Sequence, residues 1–141
     1  MADSWFTLSR EDQAEALEVA AAQTGRPPHL LEKDIWVVWT LSAIYESALA
    51  AKLTFKGGTS LSKVYKIIDR FSEDIDLTYD IREVVPDLLR DGNPIPASPS
   101  QAKKITDRVR DRLPQWIEGE VLPILLSALT RDGLQANLSL A

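Results

Sequence analysis

Apolar residues recur on two different periods along this chain, and the switches between them set out its elements. From Ser9 to Thr24 the spacing is helical, with Ala14, Leu17 and Ala21 on one side and polar residues elsewhere. This predicts a surface helix packed along one face, capped by Ser9 and closed by Gly25 just past its end. Pro27-Pro28 imposes an extended link, and a second helix is expected from about Pro28 to Ser47, since proline is tolerated in a first turn. Between Ile35 and Tyr45 that helix is apolar nearly all round, which predicts burial. Trp36 and Trp39 therefore read as core rather than as stacking platforms, and His29 as a surface or capping residue. Trp5 and Phe6 are expected to fold onto the body. Asp34 shares a face with Leu30, Val37 and Leu41, so it should point inward and need a partner. Lys56, Lys63 and Arg70 are the candidates.

Leu53 to Lys56 is a short apolar run ending in Gly57-Gly58, as a strand entering a tight turn would. Helical spacing then returns: Leu61, Val64, Tyr65 and Ile68 form one stripe, with Thr59 or Ser60 as N-cap. The free N–H groups of that helix start would face back over the glycines, which is an anion site. Period two follows, with Ile75, Leu77 and Tyr79 on one side of a strand and Asp74, Asp76 and Thr78 on the other. Asp74 and Asp76 would then project side by side, about 7 Å apart. Two close carboxylates raise each other's pKa unless a cation lies between them, and hard oxygen ligands suit Mg²⁺ or Mn²⁺. A lone Gly-Gly is ordinarily a turn and a lone Asp-x-Asp a solvated strand face. Their order on strand, turn, helix and strand is what points to metal-assisted phosphoryl or nucleotidyl transfer. Lys56 and Lys63 could reach triphosphate oxygens and Arg70 could orient an acid, although helix cations are ordinarily solvated.

Beyond Asp80 the sequence predicts a short helical turn over Arg82–Leu89 and an irregular loop from Asp91 to Ser100. A third major helix is expected from Ser100, with Ala102, Ile105, Val109 and Leu113 inside. Its other face carries Lys103, Lys104, Arg108, Arg110 and Arg112 among Asp107 and Asp111, read as a solvated face ahead of an RNA patch. Pro114 should break or kink it. The continuation turns Trp116, Ile117, Val121, Ile124, Leu125, Ala128 and Leu129 inward, with Pro123 a second irregularity, and ends at Gly133; residues 134–140 alternate as a strand would.

Composition narrows the field. The chain has 141 residues, no cysteine and one histidine, which excludes disulfides and thiolate or histidine-cluster metal sites. At 45% hydrophobic and 26% charged it reads as one globular domain, with no bilayer-spanning run and a composition that fits the cytoplasm. The net charge of −5 gives nucleic acid no general attraction, so any RNA contact needs a local patch.

Three separated stretches carry a family resemblance: Glu32-Lys33-Asp34-Ile35-Trp36-Val37, then Phe55-Lys56-Gly57-Gly58-Thr59-Ser60-Leu61-Ser62-Lys63, then Arg70-Phe71-Ser72-Glu73-Asp74-Ile75-Asp76-Leu77. Together they resemble the AbiEii/AbiGii toxins, within the polymerase-β-like nucleotidyltransferases, from about Ser9 to Tyr79. The resemblance implies an α/β (α+β) domain with a small mixed sheet and packed helices. It also implies an NTP substrate, transfer to an acceptor such as tRNA, and a winged-helix antitoxin partner. The site would comprise Asp74 and Asp76 as metal ligands, and Lys56, Gly57, Gly58, Thr59, Ser60, Lys63 and Arg70 around the nucleotide. Such domains use a third carboxylate on a later strand; residues 134–140 offer none, and Asp87, Asp91 and Asp132 sit in turns. Relatives also run further, with a helical second half, so the chain reads as the N-terminal part of the usual length. The competing expectation is a catalytically incomplete domain that binds an antitoxin or associates with itself.

Overall fold

The computed structural model describes residues 5–56 and 75–140. The chain divides into two compact units, one of residues 1–45 and 55–77 and the other of 46–54 and 78–141.

In the first unit, helix α1 spans Arg10–Thr24 and helix α2 spans Pro28–Tyr45. The Ser9 side chain accepts the Asp12 amide, and Gly25 closes α1 at φ 72°, a left-handed geometry that a Cβ would strain. α1 packs on α2 through the half-buried Gln13, Leu17, Ala20 and Ala21. Ala14, expected on that face, is exposed, because the contact lies one residue round and Gln13 donates to the Trp5 carbonyl at 3.2 Å. α2 buries Val37, Trp39, Ala43 and Ile44. Phe6 meets Trp36 at 5.0 Å and Trp36 meets Trp39 at 5.7 Å, both edge-on, the favoured aromatic arrangement. The lead-in thus folds onto the core, and the tryptophans are packing residues. Asp34 points inward as expected, its Oδ1 shielded from solvent.

Strands β1 (Leu53–Lys56) and β2 (Asp76–Tyr79) pair antiparallel, and they form the sheet among the described residues. Outside the strands, Asp80 N–H donates to the Lys52 carbonyl at 2.9 Å. The helix-rich α+β class expected from the sequence is the one observed.

The second unit opens with a 3₁₀ turn over Ala48–Ala51, capped by Ser47, that buries Leu49 to 1% exposure. Helix α3 (Ile81–Val84) continues into a 3₁₀ turn at Pro86–Leu88, matching the helical stretch expected there. Val84, Val85, Leu89 and Ile105 make the core, covered by Tyr79, Ile81, Leu88, Val109, Leu113 and Trp116. Helix α4 spans Pro99–Trp116 and begins earlier than expected, because Ser98 rather than Ser100 caps it with Pro99 in the first turn.

The break expected at Pro114 is corrected, and the irregularity expected at Pro123 lies just ahead of it. Pro114 lies inside α4 without ending it. The chain then widens into a π turn over Ile117–Val121, where the Leu122 N–H reaches back five residues to the Ile117 carbonyl. The widened turn gives Pro123, in the first turn of helix α5 (Leu122–Arg131), room that a regular α turn would deny its ring. Residues 134–140 form no strand, since alternation alone supplies no neighbour to bond with.

Two carboxylates are held by arginine. Asp80 caps α3 and takes Arg82 Nε at 3.0 Å and Nη2 at 2.8 Å; those hydrogen bonds hold its carboxyl below the ordinary value. Asp87 accepts from both terminal nitrogens of Arg112, at 3.0 Å for Nη2, with the same effect. A folded pKa below the unfolded 3.8 contributes stability that is full above that value and is lost as pH falls through the depressed folded value. The melting midpoint should therefore fall between about pH 5 and pH 2, and Asp87→Asn should flatten that fall. An unchanged profile would show that solvent screens the pair completely.

Candidate functional site

Antiparallel pairing of two four-residue strands sets the Lys56 end of β1 beside the Asp76 end of β2. The chain leaves β1 there through Gly57-Gly58 and returns into β2 after Asp74. Lys56 is placed by its backbone at that end. Gly57, Gly58, Thr59, Ser60, Lys63, Arg70 and Asp74 lie outside the described residues.

β2 shows the alternation its sequence predicts: Asp76 and Thr78 are exposed, and Leu77 and Tyr79 half-buried. Asp76 is exposed, and among the described residues its side chain has no hydrogen-bond or ion-pair partner. The neighbouring acids differ. Asp80 has the same parity as Asp76, but β2 ends at Tyr79 and the Asp80 oxygens go to Arg82 and the cap of α3. Asp87 is held by Arg112, and Asp132 accepts from Arg131 Nε at 3.0 Å. Asp91 sits in a turn at φ 52°, exposed. Among the described residues no three metal-ligating side chains converge.

Sequence reasoning missed the role of Arg112, which it placed on the outer basic face of α4. That side chain turns inward instead, toward Asp87 and the Val84 carbonyl. The signal was available, because Arg112 lies seven residues after the buried Ile105 and so shares its face. His29 is exposed, as expected.

The helix-dominated architecture and small antiparallel sheet are those of a nucleotidyltransferase-like domain. The model of the nucleotidyl transferase AbiEii toxins, of type IV toxin–antitoxin systems, matches residues 39–135, and the chain belongs to that family. No curated protein and no solved structure gives a match. The matched span begins after the Glu32–Val37 stretch and runs well past Tyr79, through α4 and α5. Among the described residues no helix is long and apolar enough to cross a membrane.

Proposed function

We propose that this chain carries the nucleotide-transfer centre of a cytoplasmic toxin, moving a nucleoside monophosphate from an NTP to an acceptor hydroxyl, with tRNA as the acceptor class and a winged-helix antitoxin as its partner. The observation that carries the reading is Asp76: an open carboxylate at the strand end beside the exit of β1 into Gly57-Gly58. An exposed carboxylate that no described residue engages fits a hard divalent cation, and Asp74 with Asp76 would hold Mg²⁺ or Mn²⁺. A cation there would offset the charge of the triphosphate and of the departing pyrophosphate. Gly57 and Gly58 admit the β- and γ-phosphates, Thr59 and Ser60 donate to them, Lys56 and Lys63 supply positive charge, and Arg70 orients an acid.

A second reading has an observation of its own. Asp80, Asp87 and Asp132 are engaged by arginines, so none of these three is free to act as a third acid. On that reading the domain is catalytically incomplete and works by binding an antitoxin or a second copy of itself.

Calorimetry with Mg²⁺ and each NTP separates the two. Gly58→Val should weaken nucleotide binding at least about tenfold, because a branched side chain would block the approach of phosphate to the backbone. The melting midpoint should move much less. Normal nucleotide binding by the variant would reduce the glycines to a turn, and tight antitoxin binding by a chain that ignores NTP would favour the second reading.

A further inference from the structure

Lys103 to Arg112 hold five of the chain's 16 lysines and arginines, in a protein of net charge −5. The structure sorts these five. Arg112 turns in to Asp87, and Lys103 lies 3.7 Å from Asp107 across one turn. Lys104, Arg108 and Arg110 are exposed and make no ion pair among the described residues. Lys104 and Arg108 stand one turn apart and, with Ser100, Lys103, Asp107 and Asp111, line an open depression of about 420 Å³.

We propose that this flank of α4 binds the phosphate backbone of an RNA strand, the acceptor of the reaction proposed above, on which this inference rests. Exposed cations outside ion pairs displace condensed counterions when they contact phosphates, and this release is the main source of sequence-independent nucleic-acid affinity. The rise from Lys104 to Arg108 is about 6 Å, a step on the scale of neighbouring phosphates along a strand. Arg108 can grip a phosphate through two N–H groups, and Lys104 serves as a point charge. Asp107 and Asp111 share the depression, so affinity is modest and strongly salt-dependent. The outward face from Lys103 to Asp111 carries no exposed apolar side chain. Stable membrane and protein interfaces ordinarily add apolar contacts to charge, so the bare charge of this face favours a strand of phosphates.

The test is fluorescence anisotropy of a labelled single-stranded RNA of mixed sequence with the full chain, across a salt series. Lys104→Gln/Arg108→Gln should bind at least about tenfold more weakly, with the log–log salt slope reduced by about 1.4, roughly 0.7 for each lost phosphate contact. Arg10→Gln, at the exposed start of α1, should bind as the wild type does. Equal affinity in the double variant, no RNA binding by the wild type, or binding to phosphatidylserine vesicles in place of RNA would each overturn the proposal. Mg²⁺–NTP calorimetry on the same samples keeps the two readings apart. RNA binding that depends on Lys104 and Arg108 in a chain that takes no NTP would remove the transferase and leave the RNA surface.

Discussion

Asp76→Asn should slow nucleotide transfer by two orders of magnitude or more, equivalent to about 3 kcal/mol of transition-state stabilisation. The substitution keeps the size of the side chain and removes its charge. The Asp76 side chain is exposed and meets no other described residue by hydrogen bond or ion pair, so the fold has little to lose. The melting midpoint should register no more than about 0.5 kcal/mol, the ordinary range for a surface change. Single-turnover transfer from labelled NTP, measured beside the melting curve, separates the two effects. A variant with the wild-type rate would take Asp76 out of the site. One that lost rate and stability together would make it a structural residue.

Leu49→Ala should have the largest effect on stability, about 2–5 kcal/mol, which combines lost transfer energy with an unfilled cavity. Leu49 is 1% exposed and sits in a short turn capped by Ser47, immediately before β1. A turn pinned between a helix and a strand has little freedom to collapse onto the vacated space. Urea denaturation should show a lower midpoint at an unchanged slope. A loss below about 1 kcal/mol would mean that neighbouring side chains move in to fill the site.

Helices were the most legible part of the sequence. Ser9 and Gly25 bound α1 in the structure as they do in the pattern, since caps are local chemistry that needs no tertiary information. The buried face of α4 was legible too, through Ile105, Val109 and Leu113. What failed was whatever depended on a neighbour. Residues 134–140 alternate, yet a strand exists only where another backbone offers its hydrogen bonds. Arg112 looked like one more surface cation until Asp87, 25 residues away, met it. Of the proposed site, the strand bearing Asp76 and its alternation were readable, as was the approach through β1. The engagement of Asp80 by Arg82 was not, because strand parity says nothing about where a strand stops.

The π turn at Ile117–Val121 has a consequence for how the surface of the second unit is kept in phase. Counted at about 100° per residue, Ala128 and Leu129 of α5 would lie roughly 140° and 240° round from Ile105 of α4. Both are nevertheless buried, as Ile105 is. A π turn takes up about one extra residue, so all that follows rotates back by about 100°, which puts Ala128 and Leu129 roughly 40° and 140° from the Ile105 direction. The widened turn thus sets the angle between the buried positions of α4 and those of α5. Loss of one residue there, Gly119 for example, would take away the room that the Pro123 ring uses and swing the apolar side of α5 about a quarter turn round. The length of this five-residue segment therefore sets the direction in which the apolar side of α5 faces.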